Sequence, residues 1–240
     1  MARRRFFIDA VHSGRALLTG DDAKHLRQVL RAEEGQRYEL CDNESVYLGE
    51  IDGLGREQVA FRILERLDDE ALPVRLHLYL ALIKFDRLEW AVEKATELGV
   101  ERIVPIETAR SEKGLERAAA KRVERWRKIA RESAQQSRRS RLPDVTAPIS
   151  FPDALKAEGL RLFLDEQPGV EPLLSVLPPE RRPSDLVCLF AGPEGGWTDS
   201  ERAQAAAAGC TSAGLGRLIL RAETAAIAGL AIVSAGWSAS

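Results

Sequence analysis

From Val74 onward, short apolar runs alternate with helical patterns, and this alternation constrains the fold more than any other feature. The runs are VRLHLYLAL, VERIVPI, LRLFLD (160–165) and DLVCLFA (185–191). After the first, Leu88, Ala91, Val92, Ala95 and Leu98 recur at i, i+3, i+4 spacing, and Gly99 is placed to stop that helix. A long helix is expected through KRVERWRKIARESAQQS, burying Val123, Trp126, Ala130 and Ala134. Ser150 to Asp153 has the form of a capping box opening a short helix, and further helices are expected at TDSERAQAAAAG and around ETAAIAGLAIVSAG. Strands alternating with helices predict an α/β domain on a parallel sheet. The first ~70 residues differ. RRFFID, YELCD, SVYLGEIDG and QVAFRILERL are separated by turn signals at Gly35, Asp42-Asn43 and Gly53-Leu-Gly55. One helix, AKHLRQVLR, interrupts them with Asp21 or Asp22 as its N-cap. The link LDDEALP (67–73) marks the change of character. The expected organisation is a small β-barrel-like module at residues 1–72 followed by the α/β domain at 73–240.

Composition narrows the class. No apolar run approaches the ~18–20 residues needed to span a bilayer. The opening MARRRFFIDAVHSG lacks the apolar core of a secretion signal. Cys41, Cys188 and Cys210 suggest neither a disulfide framework nor a metal site, so a reduced, cytoplasmic, metal-free protein is expected. The net charge of −2 does not suggest a nucleic-acid binder, but its distribution does. Lys121 to Leu142 holds nine Lys/Arg against two Glu, and Arg3, Arg4 and Arg5 form a second cluster. Such patches suit phosphate contacts, and a basic helix is equally read as a solvated face.

Residues 191–201, AGPEGGWTDSE, follow DLVCLFA directly and set a glycine loop at a strand's carboxyl end, where parallel sheets bind ligands. The spacing matches neither GxGxxG nor GxxxxGK[ST], and Pro193 removes an N–H that a phosphate cradle would use. This argues against a dinucleotide or triphosphate site. The residues alone leave two readings open, a ligand-contacting loop or a tight turn feeding a helix capped by Thr198-x-x-Glu201. A second stretch, LGRLILRAETAAIAGL (215–230), places Leu215-Gly216 at another strand end, then Arg221-Ala222-Glu223, with Thr224 at a helix head. A charged cluster between apolar stretches is costly unless paired, solvated or functional. The small residues that follow permit very close packing, as a dense interior helix or as a dimer seam.

GPEGGWTDSE paired with LGRLILRAETA resembles the ribosomal RNA small-subunit methyltransferase E family, of the SPOUT class of S-adenosylmethionine-dependent enzymes. KFDRLEWAVEKATELGVERIVPIETARS (84–111) and ARESAQQSRRSRLPDV (130–145) are similar to that family's middle segments. RRFFID with GDDAKHLRQVLRAEEGQ is similar to its N-terminal RNA-binding module. Trp197 stands where the family more often has Phe. The resemblance implies a C-terminal SPOUT α/β domain with a deep trefoil knot and parallel sheet, a small N-terminal PUA-like β-barrel, and a homodimer. It also implies methyl transfer from S-adenosylmethionine to N3 of a specific uridine in 16S rRNA, as free rRNA or in the small ribosomal subunit. Three strand-end loops would then converge on the cofactor. They involve Leu164, then Gly192, Glu194, Gly195 and Gly196, then Leu215, Gly216, Ile219 and Leu220, with Thr224 following. An adenosyl group has no phosphates, in keeping with the missing fingerprint.

Arg221 is a candidate to stabilise the developing uracil anion or orient the target, with ion pairing to Glu223 or Glu194 as the alternative. Glu223 and Glu194 are candidates for a base or a sulfonium contact, weighed against loop bracing. Arg110 and Ser111 lie in a loop resembling one that faces the target nucleotide. RNA contacts would fall to Arg3, Arg4, Arg5, Lys24, His25, Arg27, Arg31, Arg138, Arg139 and Arg141. The competing expectations are a related knotted methyltransferase acting on another rRNA or tRNA site, and a non-catalytic RNA-binding assembly factor.

Overall fold

The computed structural model describes residues 5–69, 71–111 and 114–238. Its contacts divide the chain into two units, Met1–Glu70 with Ala134–Leu142, and Ala71–Ser133 with Pro143–Ser240. The first unit contains β1 (Arg5–Phe7), β2 (Val11–His12), β3 (Arg15–Thr19), α1 (Gly20–Gln28), β4 (Arg37–Cys41), β5 (Val46–Leu54) and β6 (Gln58–Leu67). They form one six-stranded sheet in the order β1-β4-β5-β6-β3-β2. The two ends of that order, β1 and β2, are joined by residues 8–10 alone. Four Cα steps reach at most about 14 Å, whereas five flat strand spacings need about 24 Å. The sheet must therefore curl, and register shifts in β5 at Leu48/Gly49 and Ile51/Gly53 supply the bending. Phe6, Leu18, Leu26, Leu40 and Phe61 fill the interior.

Two details depart from expectation here. Helix α1 starts at Gly20 with Thr19 as N-cap, so Asp21 and Asp22 fall in its first turn, where they complement the positive helix end. The segment after the long basic helix also packs within this unit. Ala134 joins Phe7, Cys41 and Val46, and the Leu142 amide donates to Asn43 Oδ1 at 2.6 Å. A boundary drawn along the sequence at 72/73 does not see that return.

The second unit contains β7 (Arg75–Ala81), α2 (Phe85–Glu97), β8 (Arg102–Glu107), α3 (Leu115–Ala119), α4 (Val123–Gln136), β9 (Asp144–Val145) and β10 (Ile149–Ser150). It continues with α5 (Phe151–Ala154), β11 (Leu160–Leu164), β12 (Leu186–Ala191), α6 (Asp199–Ala207), β13 (Thr211–Ala213) and α7 (Ala222–Ser238). The strands lie in the order β10-β8-β7-β12-β11-β13, with β9 also on β8, and every pairing is parallel. Strand alternation divides the core. Leu76, Leu78 and Leu80 face one layer with Trp126, Leu189 and Leu230, while Tyr79 and Ala81 face another with Phe163, Phe190 and Trp197. Helix α7 lies on the first layer with one face, burying Ala226, Gly229, Leu230 and Val233, while Ala231 and Ala235 stay exposed. A Cβ at Gly229 would stand 2.8 Å from Leu189 Cδ2. The expected long basic helix is present as α4, preceded by a 3₁₀ turn at Ala120–Arg122 that takes its first two expected residues, Lys121 and Arg122.

His77 on β7 is 8% exposed, and burial together with the neighbouring Arg102 holds its pKa below the ordinary 6.5. The unfolded chain therefore takes up a proton that the fold resists. This contribution to stability is complete above about 6.5 and is lost as pH falls from there through the lower folded value. Urea denaturation midpoints are expected to drop over that window, and His77→Gln should flatten this part of the profile.

Candidate active site

All strands of the parallel sheet present their carboxyl ends along one edge, where its loops gather. After β12 the chain runs through the glycine loop into α6. Trp197 in that loop is fully buried, stacks on Phe163 with centroids 4.5 Å apart, and donates its Nε1–H to the Leu164 carbonyl at 2.9 Å. Gly192 is small for that reason, because a Cβ there would lie 2.8 Å from the Trp197 indole. Gly196 has φ +71, and a Cβ on it would meet Glu166, while one on Gly195 would meet Arg110. The missing side chains thus face the loop's own neighbours. Half of the glycine pattern is packing, whatever the backbone contacts.

The loops are cross-braced by charged side chains. Glu201 completes the capping box with Thr198, and its other oxygen accepts from the Ala109 amide at 2.8 Å, so TDSE also ties α6 to the loop after β8. From that loop Arg110 Nη1 donates to the carbonyls of Gly195 at 2.7 Å and Trp197 at 3.3 Å. Ser111 closes a turn on Thr108, with the two hydroxyls 2.8 Å apart. Asp165, next to the buried Leu164, receives Arg202 Nε at 3.1 Å on both oxygens. The same guanidinium reaches Glu166 at 3.0 Å and the Trp197 carbonyl at 2.7 Å. Arg87, in the first turn of α2, pairs with Glu194 and stands 3.9 Å from Glu223 Oε1.

These contacts correct one expectation. The partner of Glu194 and Glu223 is Arg87; Arg221 is exposed, and its guanidinium makes no ion pair or hydrogen bond among the described residues. Its backbone carbonyl instead accepts from the Ala225 amide at 2.8 Å, inside the first turn of α7. Glu223 is buried, and its Oε2 has no hydrogen-bond partner among the described residues. The loop leading into α7 carries Gly216 at φ +108, half-buried Leu215 and Leu220, and Leu218 and Ile219 at 81% and 89% exposure; Thr224 is exposed.

Sequence reasoning missed Arg87 and Arg202. Both lie in or just past the first turn of a helix, where the dipole disfavours a cation, and that position was the available signal. A polar cavity of about 420 Å³ lies at the opposite strand ends, lined in part by Arg75, His77 and Arg102, and touches none of these loops. Among the described residues no group of His, Cys, Asp and Glu converges as a metal site, and no helix is long and apolar enough to cross a membrane.

The residues expected to meet RNA separate by environment. Arg3 and Arg4 lie outside the described residues. Arg5 is a correction: it is 7% exposed, and its guanidinium is occupied by Glu39 at 3.0 Å and the Arg138 carbonyl. As the first residue of β1, it is drawn inward by that carboxylate. Arg138 also pairs with Glu39 but is itself exposed, as are Lys24, Arg31 and Arg141. Arg27 is half-buried and donates to the Arg56 carbonyl; Arg139 and His25 are half-buried.

A parallel α/β sheet with braced loops at its carboxyl edge, preceded by a curled β module, defines the class. A family model described as an RNA methyltransferase domain matches residues 70–234, and one described as an RNA methyltransferase PUA domain matches residues 18–64. Ribosomal RNA small subunit methyltransferase E of Bacillus subtilis is 31% identical over 227 residues, covering 90% of this chain and 88% of that protein. The protein of that name in Synechocystis is 33% identical over 224 residues, covering 91% and 72%. The crystal structure of ribosomal RNA small subunit methyltransferase E from Neisseria gonorrhoeae bound to S-adenosyl methionine superposes with a TM-score of 0.86 at 29% identity, covering 98% of both chains. The chain belongs to the ribosomal RNA small subunit methyltransferase E family.

Proposed function

We infer that this chain methylates N3 of a specific uridine in 16S rRNA, using S-adenosylmethionine, in the cytoplasm. The observation that carries this reading is the braced loop edge of a family member, with an unpaired Arg221 beside the exposed, apolar 218–219 segment. The residues fit the cofactor. Leu218 and Ile219 offer apolar surface to an adenosyl group, and the Arg87, Glu194 and Glu223 set carries a net negative charge suited to a cationic ligand. When bound, the cofactor supplies an electrophilic methyl group on a positively charged sulfur. The chain's own contribution is positioning and electrostatics. Leu164, Gly192, Gly195, Leu215 and Leu220 border the loops that would hold the adenosyl group, and Arg202, Glu201 and Arg110 keep those loops in place. Arg221 would stabilise negative charge on the uracil ring as N3 loses its proton.

Lys24, Arg31, Arg138 and Arg141 supply exposed cations for rRNA phosphates. A homodimer is part of the same reading. The deep trefoil knot of the C-terminal domain belongs to it as well. Arg221→Ala is expected to lower kcat by roughly 10²–10³-fold while leaving cofactor Kd unchanged. Methyl-transfer kinetics with calorimetric titration measure both quantities. Equal losses in the two would assign Arg221 to holding the cofactor instead.

A further inference from the structure

Asp165, Glu166, Glu194 and Glu201 each meet a donor in the braced loops, Asp165 and Glu201 through both oxygens and the more exposed Glu166 and Glu194 through one. Arg202 occupies Asp165 and Glu166, Arg87 pairs with Glu194, and Glu201 receives the Ala109 and Thr198 amides and the Thr198 hydroxyl. Glu223 differs. It is 8% exposed, its Oε1 lies 3.9 Å from Arg87, and its Oε2 is buried without a hydrogen-bond partner among the described residues. A buried carboxylate oxygen left unpaired is costly, and a donor from a ligand bound at this edge would relieve that cost. That ligand must carry an N–H or O–H, since a carboxylate only accepts.

We propose that Glu223 Oε2 accepts the N3 proton of the target uridine. The proposal rests on the uridine-N3 reading above and deepens it. The N3–H bond breaks and its proton passes to Oε2. The N3 electron pair forms the bond to the methyl carbon, and the carbon–sulfur pair stays on sulfur, which leaves as S-adenosylhomocysteine. Arg87 anchors the other carboxylate oxygen, and Arg221, two residues before Glu223, offers a free guanidinium to the charge that develops on the ring. Access requires the exposed 217–219 segment, directly ahead in the chain, to shift as the target enters. The cofactor's amino group is a second source of N–H donors, and the experiment separates the two.

The test compares wild type, Glu223→Gln and Glu223→Asp by single-turnover methylation across pH, with calorimetric binding of S-adenosylhomocysteine. Glu223→Gln is expected to slow transfer by roughly 10²–10⁴-fold near neutrality, with S-adenosylhomocysteine affinity unchanged. Its deficit should shrink by about tenfold per pH unit as N3 begins to ionise without help. Glu223→Asp should keep the wild-type profile at a reduced rate. A weakened S-adenosylhomocysteine affinity with normal transfer at saturation would assign the oxygen to the cofactor's amino group and overturn the proposal. A deficit independent of pH would reduce Glu223 to a structural role. If wild-type enzyme places its methyl group elsewhere than uridine N3, the functional reading itself falls, whatever the variants do.

Discussion

Arg202→Ala is expected to destabilise the second unit by about 3 kcal/mol, because it strips the partner from a buried carboxylate. The Asp165 side chain is only 5% exposed and that of Arg202 19%, so solvent screens this pair little. The same truncation releases Glu166 and the Trp197 carbonyl, which belong to two different loops. A loss of that size in a domain of about 150–250 residues lowers Tm by roughly 6–12 °C. Cofactor affinity should fall with it, since the loops after β11 and β12 lose their common tie. Arg202→Lys should recover only part of the loss, because a point charge cannot serve three acceptors as a planar guanidinium does. Denaturant titration and calorimetry measure both effects. A stability change below about 1 kcal/mol, the range of an exposed pair, would mean that this bridge does not brace the site.

Trp197→Ala is expected to cost about 3–5 kcal/mol, as large aromatic truncations in packed cores do. The indole is fully buried between Phe163 and Phe151, with centroids 4.5 and 5.2 Å away, and it satisfies the Leu164 carbonyl. Trp197→Phe keeps most of the packing and loses the donor, so its cost should be about 1–3 kcal/mol, the range for a buried acceptor left unpaired. Denaturation midpoints for the two variants separate packing from hydrogen bonding. Equal losses would place the whole effect in the hydrogen bond.

The parallel sheet was legible because β7, β8, β11 and β12 are continuous apolar runs buried on both faces. Strand β13 is the three-residue Thr-Ser-Ala and carries no such pattern; it exists because β11 offers it an edge. Gly99, Ser150 and the Thr198–Glu201 box did as helix punctuation what their chemistry suggested. The bracing was not legible. Glu201 reaching Ala109, Arg202 reaching Asp165 and Arg87 joining Glu194 to Glu223 span 37 to 136 positions, so no local spacing encodes them. Arg5 illustrates the converse error. A cluster of arginines at a chain start looks like a phosphate-binding arm, yet one member is consumed by Glu39, 34 positions away.

The return of residues 134–142 to the first unit has a functional consequence. The basic run Arg138 to Arg141 belongs with the module that carries Lys24 and Arg31, so the exposed cations of one unit come from two distant parts of the sequence. The sequence presented this run as the tail of a basic helix. The pairing of Arg138 with Glu39, and the adjoining Leu142 amide on Asn43, assign it to the β module.

Nucleoside mass spectrometry of 16S rRNA, from cells with and without this gene, tests the central claim most directly. The account predicts that 3-methyluridine is present in the parent, absent from the deletion strain, and restored by the wild-type gene but not by the Arg221→Ala form. Unchanged 3-methyluridine in the deletion strain, or loss of a different modified nucleoside, would contradict it.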